Sequence, residues 1–291
     1  MNESKYLKLT LDNFIFNAGV AGLVRQLEFY DARYGEDGDY YFDGNVMYIS
    51  KDFLLKTDLA KLYVDTAVAK YGEETVYNEI LKSIDSLEHL TNQVLSLEAA
   101  GKKDEAVETR EKLIGRYKYI TDKLNRNSYQ HAIDNLKDKG IETSISNLVN
   151  ELKNTKDLIE KLRVSHLIKQ EMKRPEVKEV LCFKDIIYSK IKMLWNNKAF
   201  LYRQSSNKDV FEVYNKDFVE PLISSLKSTK RSKTNKYCIT CGCKTAKATS
   251  LSFMNDTVED INKKKSDFWN QKPDAVLCPL CAYIYSLSPL G

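Results

Sequence analysis

The sequence predicts a helix-rich α+β protein that ends in a cysteine-rich, metal-binding module. Three observations predict this class: a β-hairpin pattern early in the chain, apolar residues at helical spacing through its middle, and two Cys-x-x-Cys motifs near the C-terminus. Of the 291 residues, 43% are apolar and 30% are charged, a composition that allows a folded protein with a hydrophobic core. We divide the chain into a small α+β unit (1–72), a helical region (73–226) and a basic zinc-binding module (227–291).

The N-terminal unit is predicted to contain a strand, a helix and a hairpin. Alternating residues favour a short strand over 6–11, and helical spacing favours a helix over 14–30. Residues 39–49 form a hairpin pattern, with β-forming residues on both sides of an Asp-Gly turn. Ser50 is then a suitable N-cap for a helix that extends to Val68.

Two glycines interrupt the first predicted helix. Gly19 and Gly22 each disfavour a helix by about 1 kcal/mol relative to alanine. They therefore indicate close packing against another backbone, or a bend in the first turn.

The middle of the chain is predicted to be helical. A first apolar stripe ends at Gly101, and a second, over 106–124, should pack against it as a helical hairpin. A third stripe runs from Ile145 to His166 and ends before Pro175.

Two further helices precede the cysteine-rich module. They are predicted over 183–200 and 210–226, with Pro221 at a kink or a helix start. Cys182 lies in an apolar run and is predicted to be a buried core residue.

The two Cys-x-x-Cys motifs are predicted to bind one metal ion. Two residues between cysteines direct both sulfurs of a tight turn at one ion, and two such turns complete a tetrahedral Zn²⁺ site. The 36 residues between the motifs would form an excursion whose ends the metal joins. Four thiolates leave no open position, so this zinc is predicted to be structural. The predicted ligands are Cys238, Cys241, Cys278 and Cys281.

Other uses of these cysteines stay open. Disulfides need an oxidising compartment, whereas the first residues contain no apolar signal core. A redox-active Cys-x-x-Cys motif normally lies at the start of a helix in a thioredoxin-like unit, and a redox role here would involve two such motifs. An iron–sulfur cluster with four thiolates remains an alternative. Cys243 is a spare thiol that can replace Cys241 as a ligand.

Positive charge is concentrated around the cysteine motifs. The net charge is only +4, yet no acidic residue lies between Glu220 and Asp256, and a later lysine triplet precedes Phe268 and Trp269. Such basic and aromatic clusters suit phosphates and base stacking, while the alternative is a solubilising loop. The candidate nucleic-acid contacts, chosen by charge alone, are Lys230, Arg231, Lys233, Lys236, Lys244, Lys247, Lys263, Lys264 and Lys265.

No motif in the sequence indicates an active site. The three histidines lie in the helical region without a partner at ligand spacing, and no phosphate loop, dinucleotide turn or nucleophile elbow is present. No run of 18 apolar residues occurs, so we expect no membrane span. We therefore expect a protein that is not an enzyme.

The last ten residues are apolar and lack a polar tail. Chains seldom stop on such a segment, because an exposed apolar end has nothing to bury against. We therefore expect this chain to be the N-terminal part of a longer protein.

Two stretches together resemble the large subunit of the type I-B CRISPR interference complex, Cascade. The first is Leu11-Asp12-Asn13-Phe14-Ile15-Phe16-Asn17-Ala18-Gly19-Val20-Ala21-Gly22-Leu23-Val24-Arg25-Gln26-Leu27, and the second is the pair of Cys-x-x-Cys motifs. Their order and separation carry most of the resemblance. It spans this whole chain but covers only about the first half of such a subunit, whose C-terminal helical bundle would follow.

The resemblance implies a non-catalytic, nucleic-acid-binding protein of the prokaryotic cytoplasm. Members of this family recognise the short motif that flanks a target in double-stranded DNA. They lie near the 5′ end of the guide RNA, contact other Cascade subunits and help recruit the helicase-nuclease. Only the four cysteines carry over residue by residue, because the motif-recognising residues vary among members.

Two other classes of protein stay open at this point. One is a zinc-stabilised scaffold whose helical hairpin binds protein and whose basic residues are merely solvated. Salt-dependent binding to duplex DNA would separate it from the first class. The other is a nuclease or polymerase-like subunit of another CRISPR class, which needs a carboxylate cluster or a His-Asp pair that this sequence lacks.

Overall fold

The protein is described by a computed structural model, which places residues 5–191, 194–195, 197–202, 208–228, 236–251 and 275–291. The predicted helix-rich α+β class is confirmed. The chain divides into two compact units, one of residues 1–70 with 190–291 and one of residues 71–189. The predicted segments divide the chain differently, because the C-terminal cysteine motifs pack with the N-terminal residues in one unit.

Strands are few and short, and helices form most of the described chain. The elements in chain order are β1 (Tyr6–Thr10), α1 (Phe14–Phe29), β2 (Tyr40–Asp43), β3 (Val46–Ser50), α2 (Lys51–Lys56), α3 (Leu59–Tyr71), α4 (Val76–Ala99), α5 (Lys103–Leu124), α6 (Asn127–Asp138), α7 (Ile145–Asn154), α8 (Leu158–Lys173), α9 (Pro175–Ser189), α10 (Val210–Tyr214), α11 (Glu220–Lys227), β4 (Thr249–Ser250), β5 (Val276–Leu277) and α12 (Pro279–Ser286). None of the described helices is long and apolar enough to cross a membrane.

The first unit contains the predicted hairpin in a three-stranded antiparallel sheet of order β1-β3-β2. The two-residue turn is Gly44-Asn45, and Gly44 has φ +58°, a conformation that glycine adopts without strain. Leu9 lies opposite Met47 on the buried face, and Tyr48 lies between Lys8 and Tyr41 on the other face.

Several helix boundaries differ from the predicted ones because polar breaks lie inside apolar stripes. The predicted helix from Ser50 to Val68 is two helices, α2 and α3, with Ser50 capping the first. The third stripe is likewise divided into α7 and α8, and Asp157 caps the second of these. Pro175 begins α9, since proline is well tolerated at the first helical position.

The stretch predicted as a helix over 210–226 contains one irregular turn. A π-helical turn, Asn215–Val219, separates α10 from α11. Pro221 lies in the first turn of α11. Proline has no N–H to donate to the carbonyl oxygen four residues earlier. The α-helical hydrogen-bond pattern is therefore interrupted at Pro221, and the π-helical turn lies directly before it.

The two glycines of α1 lie against the backbone of α12, as their positions predicted. A β-carbon on Gly19 would lie 2.2 Å from the carbonyl oxygen of Ile284, and one on Gly22 would lie 2.2 Å from that of Leu287. No side chain fits into either gap. The two helices therefore approach each other through backbone atoms, which only glycine permits.

The apolar C-terminal residues are buried within the first unit. Tyr283, Ile284, Leu287 and Leu290 are all at most 1% exposed. Arg25 donates to the carbonyl oxygen of Leu290, and Lys70 donates to those of Leu290 and Gly291 at 2.8 and 2.7 Å. The apolar end is therefore covered by α1.

The second unit is built on the α4–α5 hairpin, with α6 to α9 packed around it. Its core contains one carboxylate, Asp185 of α9, which accepts from the Tyr129 hydroxyl at 2.5 Å and from the Tyr77 backbone N–H at 2.7 Å. Cys182 is 1% exposed, as predicted for a core cysteine, and burial raises its pKa to about 11.

We expect Gly19→Ala to destabilise the protein by about 2 kcal/mol or more, because the new methyl group overlaps a carbonyl oxygen that belongs to a packed helix. The control is Gly115→Ala, whose β-carbon meets no atom within 4 Å on α5 and which should add about 1 kcal/mol of helix propensity. Urea unfolding followed by circular dichroism measures both variants. Equal stability of the parent and Gly19→Ala would contradict the close approach.

The stability of the second unit should depend on pH through Asp185. Burial raises the pKa of this carboxyl above its ordinary 3.8, so the folded state holds the proton more tightly than the unfolded state. The resulting stabilisation is complete below pH 3.8 and is lost as pH rises through the folded-state pKa. Relative to Asp185→Asn, the parent should therefore lose free energy of unfolding as pH rises. The exposed Asp138→Asn is the control, and a pH-independent difference would refute the assignment.

Candidate metal centre and its basic surroundings

The first Cys-x-x-Cys motif forms a tight turn. Gly242 donates its N–H to the carbonyl oxygen of Cys238 at 2.9 Å, and Cys238 donates to that of Cys243 at 2.9 Å. Gly242 has φ +67°, a left-handed conformation that glycine adopts without strain. This turn directs the sulfurs of Cys238 and Cys241 to the same side.

The second motif begins helix α12. Cys278 is the N-cap residue, and its sulfur accepts from the N–H of Cys281 at 3.5 Å. Pro279 occupies the first turn, where its missing N–H costs nothing. Both cysteines thus lie at the positive end of a helix, which favours the thiolate form that metal ions bind.

Backbone pairing holds the two motifs together. Ile239 donates to the carbonyl oxygen of Val276 at 2.9 Å, and β4 pairs with β5 in antiparallel register, Thr249 opposite Leu277. The strand β5 leads directly into Cys278. These pairs bring the ends of the predicted excursion side by side.

The four predicted ligands lie in one cluster. Their sulfur atoms are all within 4.8 Å of one another, and those of Cys241 and Cys278 are 3.6 Å apart. A tetrahedral ion with metal–sulfur bonds of about 2.3 Å needs sulfurs roughly 3.8 Å apart. Four cysteines at this spacing can hold a metal ion, and three of them are buried.

The thiols of the cluster also influence one another. Cys241, Cys278 and Cys281 hydrogen-bond to the sulfur of Cys238, which holds the pKa of Cys238 well below its usual range. The same contacts raise the pKa of Cys278 and Cys281, and burial adds to this effect. For Cys241, the hydrogen bond with Cys238 raises the pKa, but those with Cys278 and Cys281 outweigh it and lower the pKa to about 6. The cluster therefore accommodates thiolates most readily at Cys238 and Cys241, and a bound cation is needed to stabilise those at Cys278 and Cys281.

The spare thiol lies beside the cluster. The sulfur of Cys243 is 3.2 Å from that of Cys241, and burial, together with that sulfur, raises the pKa of Cys243 to about 11. The set of mutually close sulfurs contains Cys241, the residue that the spacing favours.

Three of the nine candidate nucleic-acid contacts lie in the described part of the chain. Lys236, Lys244 and Lys247 are exposed around the first motif. The ammonium group of Lys244 lies 5.5 Å from the centre of the Tyr237 ring, a cation–π contact on a ring that is 53% exposed. The other six, Lys230, Arg231, Lys233, Lys263, Lys264 and Lys265, lie outside the described residues.

Sequence reasoning missed the contact that joins α1 to the cysteine motifs. The Tyr285 hydroxyl of α12 lies 2.8 Å from the amide nitrogen of Asn13 and 3.2 Å from the hydroxyl of Thr240, inside the first motif. Asn13 also caps α1 by accepting from the N–H of Phe16 at 3.0 Å. Tyr285 lies in the apolar C-terminal segment of the sequence, and the hydrophobic pattern there does not distinguish a tyrosine that makes hydrogen bonds from one that only packs.

Comparison with protein families finds a similarity at this end of the chain. Residues 231–291 match the model of a family described as CRISPR-associated protein (Cas_CXXC_CXXC). The matched segment contains all four clustered cysteines, and the two Cys-x-x-Cys motifs give the family its name. No curated protein and no solved structure matches the chain.

We expect the purified protein to hold about one metal ion per chain, measured by elemental mass spectrometry. Cys241→Ser and Cys278→Ser should each reduce the bound metal strongly, because three thiolates and a hydroxyl hold a soft ion less well. Cys243→Ser and the buried Cys182→Ser are matched controls that should retain it. Loss of metal in Cys243→Ser but not in Cys241→Ser would reverse the ligand assignment.

Proposed function

We propose that this protein is the large subunit of a type I-B CRISPR Cascade complex. In this role it recognises the motif that flanks a target in double-stranded DNA and helps recruit the helicase-nuclease, and it catalyses no reaction itself. Its partners are the guide RNA and the other Cascade subunits, in the cytoplasm of a prokaryote. The ion at the four cysteines is zinc, in a structural role.

One observation carries the proposal: the N-terminal motif packs directly on the segment that matches the CRISPR-associated family. Gly19, Gly22 and Arg25 of that motif all contact α12 or the residues that follow it. The two stretches that resemble the Cascade subunit are far apart in the sequence but belong to one packed unit. A shared structural role for both stretches explains why they occur together.

The donor set supports zinc. Cysteine thiolates are soft ligands, and four of them in a closed tetrahedron are typical of structural zinc sites. Such a site leaves no coordination position for a substrate, so the ion would stabilise the fold around α12.

Charge supports contact with nucleic acid. The exposed lysines at 236, 244 and 247 lie in a stretch without acidic residues. Phosphate contacts of this kind supply most of the affinity of non-specific binding, and base contacts then add specificity.

Affinity purification of the tagged chain from its native host tests the proposal. We expect a short guide RNA, the other Cascade subunits and zinc to be recovered together. The purified complex should bind duplex DNA that carries the flanking motif more tightly than the same duplex with that motif scrambled. Zinc without guide RNA would contradict the proposal and favour the protein-interaction scaffold.

A further inference from the structure

Strand β1 is at the edge of the three-stranded sheet and exposes part of its backbone. The N–H of Leu11 donates to the carbonyl oxygen of Asn45 at 2.8 Å, so the odd-numbered residues of this segment bond to the β3 side. By the antiparallel alternation, Lys8 and Thr10 direct their backbone N–H and C=O groups away from β3. Neither residue has a backbone hydrogen bond on that side within the described part of the chain.

A groove of about 830 Å³ follows this edge along the whole strand. Consecutive residues 7–12 line it, although alternate side chains of a strand point to opposite faces, so the groove lies beside the edge and not over one face. Lys51, whose N–H bonds to Lys5 at the start of β1, also lines it. The opposite wall consists of the end of α11 at Ser225 and the loop of the first Cys-x-x-Cys motif. The two walls leave space for one extended segment alongside β1.

The lysine of this edge does not cover it. Lysine side chains commonly protect edge strands from pairing with other chains. Lys8 lies opposite Tyr48 of β3, and its ammonium group lies 5.4 Å from the centre of the Tyr48 ring. The side chain is therefore directed over the face of the sheet towards β3, and the backbone of the edge stays open to the groove.

The exposed backbone groups favour a polypeptide as the occupant of the groove. Lys8 and Thr10 each present one donor and one acceptor at the two-residue repeat of a strand, which a second strand matches with its own N–H and C=O groups. The phosphates of a nucleic acid only accept, so they would leave both carbonyl oxygens without a donor. The edge of a second folded sheet is excluded by the opposite wall, which admits a single segment.

The side chains of the groove indicate the chemistry of that segment. Lys51 and Lys244 line it from different walls, whereas Asp12 is the one acidic residue among its described lining, so acidic side chains are complementary to it. Apolar side chains can pack against the apolar part of the lining, which comprises Leu7, Leu9, Leu11, Phe16, Leu226 and Leu280.

We propose that β1 accepts an extended segment of a partner protein as the fourth strand of the sheet. In this segment apolar residues alternate with polar residues that include aspartate or glutamate, and its backbone pairs with Lys8 and Thr10. The inference does not depend on the proposed function, because a protein-interaction scaffold would use the same edge.

Selection from a phage-displayed library of random dodecapeptides on the full 291-residue chain supplies a probe. We expect peptides of the alternating apolar and acidic pattern to be retained by the parent but not by Thr10→Pro. Proline removes the N–H that faces the groove, and it is tolerated in an edge strand where that group makes no bond to the sheet. Thr10→Val keeps the N–H and is the matched control.

Fluorescence anisotropy of one selected, fluorescein-labelled peptide then measures the backbone pairing. Thr10→Pro should weaken binding about tenfold, as loss of a paired donor does, and Thr10→Val should leave the affinity unchanged. Methylation of alternate backbone nitrogens of the peptide leaves its side chains intact. One of the two alternate sets should abolish binding to the parent, and this measurement does not depend on the folding of any variant.

Four results would contradict the proposal. The first is that no peptide is retained more strongly by the parent than by Thr10→Pro, and the second is that neither set of N-methyl groups weakens binding. The third is a dimer of the parent that Thr10→Pro dissociates in light scattering, because the edge would then pair with a second copy. The fourth is a DNA or RNA strand that binds the parent but not Thr10→Pro, because the edge would then belong to nucleic acid.

Discussion

Helix α1 meets the backbone of α12 and of the residue that follows it directly at Gly19 and Gly22, and the rest of the first unit depends on this contact. The carbonyl oxygens of Ile284 and Leu287 occupy the positions where β-carbons of Gly19 and Gly22 would lie. Helices this close gain dispersion contacts along their whole length but tolerate no added methyl group. The cost of two glycines inside a helix, about 1 kcal/mol each, is offset by this packing. The N-terminal and C-terminal parts of the chain thereby become one folded unit.

The candidate metal centre lies at the start of the same helix. Cys278 caps α12, and Cys281 follows one turn later. An ion that binds both residues fixes where α12 begins, and the Tyr285 hydroxyl transmits this position to Asn13 of α1 and Thr240 of the first motif. A structural ion can therefore organise residues beyond its ligands. A groove lies where these parts meet, lined by strand β1, the first cysteine turn and Phe16.

Sequence patterns that act over short distances predicted the elements well. The Asp-Gly turn, the N-cap at Ser50 and the α4–α5 hairpin follow from local propensity and periodicity, as does the close backbone approach at Gly19 and Gly22. The spacing of the cysteines predicted which four sulfurs lie together. Long-range packing could not be predicted in this way. Nothing in a single sequence states that Gly19 faces Ile284, or that the Tyr285 hydroxyl contacts Asn13 and Thr240, because these contacts join segments that are distant in the chain.

The most direct test of this account is hydrogen exchange before and after metal removal by a chelator. If the ion fixes α12 and α12 fixes α1, metal removal should reduce amide protection in α12 and in residues 14–29, although α1 contains no ligand. Helices α4 and α5 of the second unit should keep their protection. Loss of protection confined to the two Cys-x-x-Cys turns would contradict the account, because α1 and α12 would then pack without help from the metal.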